Sequence, residues 1–335
     1  MNNQALHPGA RQDLRQVPQA GPDAPAISIV IPCYRSADNL PDLHRRLDAV
    51  CTAKGLSAEF VLVEDGGGDG TWDVISQLAR TDRRVVGIQL ARNYGQHNAL
   101  LCGIRAARGQ VIVTMDDDLQ NPPEEIPRLL SKIDEGFDVV YGSPVQESHG
   151  LLRNVASLVT KLALQHSMGA ETARKSSAFR AFRTRLRAAF ADYNSPTVSI
   201  EVLLTWGTTR FSSVDVRQDR RERGQSGYTV RKLMTHALNM MTGFSTLPLQ
   251  IASVAGLLFA AGGFVVLMYV LVRYFISDAV VPGFSFLASI ISIFSGVQLF
   301  SLGIIGEYIA RMHFRAMERP PYSVRSSTED TSQQA

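Results

Sequence analysis

Apolar residues come in short runs along the first two thirds of the chain and in two long runs near its end. Residues 27–31 (ISIVI) are stopped by Pro32, residues 59–63 (EFVLV) end at Glu64 and Asp65, and residues 85–90 form a third run. A fourth, residues 111–115 (VIVTM), leads straight into Asp116, Asp117 and Asp118 and then a Pro-Pro turn. Short aliphatic and β-branched runs bounded by turn formers read as buried strands. Between them lie segments of helical spacing: Leu40, Leu43, Leu47 and Val50 within residues 39–50, then residues 72–80, then residues 96–108, which Gly109 is expected to close. Residues 138–141 and 210–216 add strands, and residues 151–168 and 199–206 read as helices. Strands alternating with helices predict an α/β fold with a doubly wound, mostly parallel sheet.

The long runs have a different meaning. Residues 249–272 carry no charge, and neither do residues 280–305, which are broken only by Pro282 and Gly283. Uncharged stretches beyond about 18 residues are long enough for membrane-spanning helices. Arg231, Lys232 and His236 precede the pair, and Arg311, His313, Arg315 and Arg319 follow it. By the positive-inside tendency, both termini lie in the cytoplasm. Glu307 and Arg311, one turn apart, can pair. Residues 229–244 (TVRKLMTHALNMMTGF) are amphipathic and sit just before the first span, which favours a helix lying in the membrane interface. The expected organisation is a disordered tail (1–25), a cytoplasmic catalytic domain (26–228), an interfacial helix (229–247), two spans within 248–310 (about 249–272 and 282–305) and a cytoplasmic C-terminal tail (311–335).

Composition adds mostly exclusions. A net charge of +3 carries no polyanion-binding signature, so nucleic acid is not an expected partner. The three cysteines, Cys33, Cys51 and Cys102, form no CxxC pair and no metal-ligand spacing, which argues for a reducing compartment. The first 25 residues are rich in Gln, Ala, Pro and Asp and lack the apolar stretch of an export signal.

Candidate chemistry gathers at two acidic strand ends. Ligands bind outside the C-terminal edge of an open α/β sheet. Carboxylates at i and i+2 on an extended segment share a side, so Asp116 and Asp118 can share one cation. Mg²⁺ or Mn²⁺ suits such oxygen ligands, with substrate phosphates completing the shell. The other end is Glu64-Asp65 followed by Gly66, Gly67, Gly68, Asp69, Gly70 and Thr71. These glycines spell neither a dinucleotide fingerprint nor a P-loop. A nucleoside with a diphosphate fits both ends together.

The motifs IPCYR (31–35), VEDGGGDGT (63–71), RNYGQHNAL (92–100), DDDLQNPPEEIPRL (116–129) and GEYIAR (306–311) resemble the family 2 glycosyltransferases. More narrowly they resemble the polyprenyl-phosphate sugar transferases. That group includes enzymes moving mannose to dolichyl phosphate, O-antigen glucosyl transferases, and enzymes moving 4-deoxy-4-formamido-L-arabinose to undecaprenyl phosphate; the motifs read most like the last of these. The resemblance runs from about Ile27 to Tyr322. It implies a GT-A fold in which Pro32, Tyr34, Asp65, Asp116 and Asp117 bind the nucleotide-sugar donor. It implies that Asp116, Asp118 and Gln120 surround the metal, that Arg153 and Ser157 meet the acceptor phosphate, and that Arg221 belongs to a loop over the donor diphosphate. Residues 177–183 (SAFRAFR) are similar to an SGFRxYR segment of the same enzymes.

The chain departs from the family pattern at Pro144, Glu147 and Gly227, where relatives carry basic residues, and at Ser177-Ala178, where some carry Gly-Asp. These changes bear on the sugar more than on the reaction. Implied partners are a nucleotide sugar, a polyprenyl phosphate and membrane lipid, with self-association left open; the implied location is the inner membrane, crossed more than once. Two other functions compete. A processive polysaccharide synthase would carry a Gln-x-x-Arg-Trp motif, whereas residues 218–221 read QDRR. A catalytically inactive scaffold that binds nucleotide sugar would not need the intact Asp116, Asp118 and Gln120 set. His97 and His166 read as packing or surface histidines.

Overall fold

The computed structural model describes residues 24–144, 176–196, 198–219, 247–277, 283–317 and 319–329. These fall into two compact units, one built from the residues up to 219 together with 319–329, the other from 247–317. The expected helix over 151–168, with Arg153 and Ser157, the amphipathic stretch 229–244 and Arg221 lie outside the described residues.

The first unit is built on one eight-stranded sheet among the described residues, ordered β7-β5-β6-β4-β1-β2-β3-β8. The strands are β1 (Ile27–Cys33), β2 (Ala58–Glu64), β3 (Val85–Leu90), β4 (Val111–Thr114), β5 (Val139–Pro144), β6 (Arg180–Arg183), β7 (Phe211–Val216) and β8 (Val324–Ser327). The four central strands β4, β1, β2 and β3 are mutually parallel, as their alternation with helices requires. The whole sheet is mixed but mostly parallel, as expected: β5 and β7 share the direction of the central four, and only two of the eight strands are reversed. Strand β6 runs antiparallel to both β4 and β5, and β8 antiparallel to β3. Four-residue β6 (RAFR) is too short and too polar to show a strand period. Its pairing on both sides makes it a strand, a case of context overriding pattern.

Helices α1 (Leu40–Lys54), α2 (Thr71–Thr81), α3 (Gln96–Ala106), α4 (Ile126–Asp134) and α5 (Ile200–Gly207) accompany this sheet. Helix α1 turns Leu40, Leu43, Leu47, Val50 and Cys51 into the core at helical spacing. Burying each such leucine stabilises by about 1.5–3 kcal/mol. Helix α3 ends at Ala106, with Ala107 extended (φ −59, ψ 137), so Gly109 is not its cap. Gly109 instead lies against β1, where a Cβ would come 2.6 Å from the Ser28 nitrogen. Its amide donates to Ser28 Oγ at 2.7 Å, and Ser28 in turn donates to the buried Glu59 carboxylate.

The second unit is a pair of long helices, α6 (Leu247–Ser277, 31 residues) and α7 (Phe284–Ala316, 33 residues). They touch through Phe259 and Phe294, whose rings meet edge to face at 6.1 Å. Helix α6 holds an 18-residue window, Leu249–Val266, of mean hydropathy 2.0, long and apolar enough to cross a membrane. Helix α7 continues past the expected span end to Ala316, and the expected Glu307–Arg311 pair forms within it at 2.7 Å. Beyond α7 the chain supplies β8 to the first unit's sheet, where the sequence had suggested only a tail.

Candidate active site

Chain order reverses at β1. From β1 the chain passes to β2 and β3 on one side, then returns to β4 on the other. Loops leaving the C-terminal ends of β1 and β4 therefore diverge and leave a crevice, the usual place for a ligand in an open α/β sheet. A cavity of about 250 Å³ opens there, lined by Pro32, Cys33, Tyr34, Asp65, Asn93, Gly95, Gln96, Asp116, Asp117 and Asp118. The donor-site residues expected from sequence, Pro32, Tyr34, Asp65, Asp116 and Asp117, thus share one wall system with Asp118.

Each carboxylate plays a different part. Strand β4 stops at Thr114, so Asp117 and Asp118 occupy a turn rather than an extended strand. Asp116 and Asp118 are therefore not placed by the i, i+2 alternation of an extended strand; the turn brings the three aspartates to the cavity. The next residue, Leu119, is buried with φ 59, and Arg35 across the crevice has φ 57. These are the only non-glycine residues with positive φ among those described. Backbone strain of this kind collects at functional sites.

Asp117 faces the β1 loop. Its Oδ2 accepts from the Tyr34 amide at 3.2 Å and from the Ser36 hydroxyl. Burial raises the Asp117 pKa, partly offset by those donors. It therefore ties the loop bearing Tyr34, an exposed ring with the Arg35 guanidinium 5.3 Å from its centroid, to the aspartate turn. Asp116 Oδ1 accepts from Gln96 Nε2 at 2.6 Å. Asp118 Oδ1 accepts from the Gln120 amide at 3.1 Å, and the Gln120 carbonyl accepts from the Asp219 amide at 2.9 Å. The chain leaving β7 thus passes directly over the aspartate turn.

Asp65 does for the β3–α3 loop what Asp117 does for the β1 loop. Its two carboxylate oxygens accept from the Tyr94 and Gly95 amides at 2.7 and 2.8 Å. Burial raises its pKa against the pull of these donors. Gly66 is required beside it, because a Cβ there would stand 2.4 Å from the Asn93 nitrogen. Gln96, Asn93 and Ser36 were not assigned roles from the sequence. Gln96 and Asn93 lie in the quoted RNYGQHNAL motif, so the segment was visible but its reach to Asp116 was not.

Behind the crevice lies a buried ion pair that the sequence did not announce. Arg180, fully buried, meets Glu201 at 3.0 Å and donates to Thr114 Oγ1 at 3.1 Å. Burial alone would raise the Glu201 pKa, but Arg180 and His97 bring it from 4.5 down to about 2. His97 Nδ1 sits 3.7 Å from the same carboxylate.

Among the described residues no three His, Cys, Asp or Glu side chains gather as a ready-made metal cage. A cation held by one or two carboxylates, with substrate phosphates and water completing its shell, needs no such cage. Asp116 and Asp118 on one cavity wall supply such a donor set. A second cavity of about 450 Å³, lined by Gln110, Gly136, Asp138, Arg183, Arg185 and Arg210, has one carboxylate, already paired with Arg185 at 2.7 Å. It offers a cation no comparable set.

Residues 28–192 match the profile of glycosyl transferase family 2, and the chain belongs to that family. Among its relatives is undecaprenyl-phosphate 4-deoxy-4-formamido-L-arabinose transferase of Klebsiella pneumoniae, 33% identical over 307 residues, covering 91% of this chain and 94% of the relative. The enzyme of the same name from Salmonella paratyphi A is 34% identical over 302 residues, covering 89% and 92%. Glucosyl-3-phosphoglycerate synthase from Mycobacterium tuberculosis, crystallised with Mn²⁺, UDP and phosphoglyceric acid, shares the fold at a TM-score of 0.50 and 17% identity, covering 65% of this chain and 76% of that one.

Proposed function

We propose that this protein transfers one sugar from a nucleotide-sugar donor, a UDP-sugar, to undecaprenyl or another polyprenyl phosphate, giving a lipid-linked sugar for cell-envelope glycan modification. The observation that carries the reading is the single crevice gathering Tyr34, Asp65, Asp116 and Asp118 at the β1/β4 divergence. Near full-length similarity to undecaprenyl-phosphate sugar transferases supports the acceptor class.

Tyr34 and Asp65 would hold the base and ribose. Asp116 and Asp118, with Gln120, would hold Mg²⁺ or Mn²⁺, which when bound offsets the charge of the diphosphate. The related fold crystallised with Mn²⁺ and UDP supports a divalent ion. A polyprenyl phosphate is already an anionic nucleophile at neutral pH, so no strong base is needed. As its oxygen bonds to the anomeric carbon, the bond to the diphosphate oxygen breaks on the opposite face, and the configuration inverts. We assign Arg221 to the donor diphosphate on the family resemblance. Arg153 and Ser157 are assigned to the acceptor phosphate on the family resemblance alone.

The same reading makes α6 and α7 a membrane hairpin in the inner membrane. Strand β7, before α6, and strand β8, after α7, belong to one sheet. Two crossings return the chain to the side it left, which keeps the catalytic domain and both termini cytoplasmic.

The test is a panel of labelled nucleotide sugars offered to the full-length protein with undecaprenyl phosphate and Mn²⁺. A single lipid-linked sugar from one donor is expected. Long polymer would indicate a processive synthase, and binding without turnover an inactive scaffold.

A further inference from the structure

Strand β3 would be the edge of the sheet if the chain ended with α7. A bare edge leaves backbone groups unpaired and invites fraying. Here β8 covers it, pairing Ile88 with Ser327 and Gln89 with Ser326, with a bulge before Leu90 and Val324. The pairing extends one residue past β3, where the Ala91 amide donates to the Ser323 carbonyl at 2.8 Å. Side chains reinforce it. Ser326 Oγ donates to Gln89 Oε1 at 3.0 Å, and the Gly87 amide donates to Thr328 Oγ1 at 3.0 Å.

The same segment grips the helix on the far side of the loop. The Arg105 guanidinium of α3 lies 5.8 Å from the centroid of the Tyr322 ring, and Arg108 donates to Glu329 at 3.0 Å. Residues 322–329 therefore meet the 91–95 loop directly at Ala91, where it leaves β3, and hold the last turn of α3, the helix into which the loop leads. That loop carries the Tyr94 and Gly95 amides that close on Asp65 in the cavity wall.

We infer that the C-terminal segment 322–329 is a positioning element for the donor loop, holding the Tyr94 and Gly95 amides on the Asp65 carboxylate although it touches no substrate. Its consequence for donor affinity rests on reading the cavity as the nucleotide site. Because the segment follows α7 directly, it also makes the donor loop depend on the last part of the chain to leave the helical pair.

The test uses the full-length protein in detergent. In Tyr322→Ala, hydrogen exchange at the Tyr94 and Gly95 amides should speed up about tenfold while the β1 and β2 amides keep their protection. The Kd for UDP with Mn²⁺ should rise by a similar factor, with kcat at saturating donor unchanged. Tyr322→Phe, which keeps the ring beside Arg105, should behave as wild type. If Tyr322→Ala does not fold, Ser326→Ala combined with Thr328→Val removes only the Gln89 and Gly87 contacts and reads the same amides. Unchanged exchange at Tyr94 and Gly95, or acceleration spread evenly over the sheet, would overturn the inference. A wild-type protein that binds no UDP would overturn the donor reading instead, and the exchange data would still decide the loop's dependence on the segment.

Discussion

The two units use the same kinds of side chain in opposite ways. In the sheet unit Ile29, Val61 and Ile112 are fully buried, and helix α1 shows one apolar stripe beside a polar face. In the helical unit Leu257 is 71% exposed and Ile276 78% exposed, both on α6, a helix apolar around much of its circumference. A helix apolar on all sides is at home only inside a large core or in a bilayer. The sheet unit makes its own interior and meets water with charge, while the helical unit suits a hydrocarbon surrounding. An enzyme whose acceptor is a phosphate on a long isoprenoid needs both: polar chemistry at a sheet edge, and an apolar body to keep company with the lipid.

The comparison is sharpest where a substitution is harmful in one unit for a reason that has no meaning in the other. The largest effect is expected from Asp118→Asn, which under the proposed function removes a charged cation ligand while leaving the turn's shape. Initial rates should fall at least about a thousandfold, or about 4 kcal/mol in the barrier, with the melting temperature unchanged. Near-normal rates in saturating Mn²⁺ would remove Asp118 from the metal site.

Next is Glu201→Gln, which leaves buried Arg180 without its counter-charge and should cost about 3 kcal/mol of stability by denaturant unfolding. The pH dependence has a definite sign. Glu201 has a depressed pKa in the folded state, so its stabilisation is complete above 4.5 and is lost as pH falls toward about 2. The gap between wild type and Glu201→Gln should therefore narrow across that window. A gap constant with pH would show that the ion pair is not its source.

Leu257→Arg probes the other unit. In a spanning helix a central arginine costs about 2.5 kcal/mol of insertion, whereas on a water-exposed helix it costs almost nothing. A membrane-insertion assay of the α6 segment should register the penalty; insertion-neutral behaviour would contradict the membrane reading. The smallest effect is expected from Gln96→Ala, which removes one hydrogen bond to Asp116. A loss of about 1 kcal/mol predicts a roughly fivefold rise in donor KM at constant kcat, read from steady-state rates.

Much of the sheet unit was legible because its strands are continuous buried runs and its helices carry a clear apolar period. β1 to β4, α1 to α3 and the acidic strand ends all announce themselves this way. Strand β6 (RAFR) and strand β8 (VRSS) did not, since each is half or more polar, unlike β4 (VIVT), and becomes a strand only through its neighbours. The crevice was legible as two acidic edges, yet the division of labour among its carboxylates was not. That Asp65 and Asp117 spend oxygens holding loops depends on backbone amides of Tyr94, Gly95 and Tyr34, and an amide donor leaves no mark in a sequence. The Arg180–Glu201 pair joins residues 21 positions apart across two elements, with no motif to connect them.

The central claim is that one sugar passes from a nucleotide to a lipid phosphate in the crevice. Its most direct test is to follow nucleoside diphosphate release and lipid product together, using the full-length protein, its donor and undecaprenyl phosphate with Mn²⁺. The account predicts one mono-glycosylated lipid phosphate of inverted anomeric configuration for each diphosphate released, and no activity after chelation. Diphosphate release without lipid product, retention of configuration, or a growing polymer would contradict it.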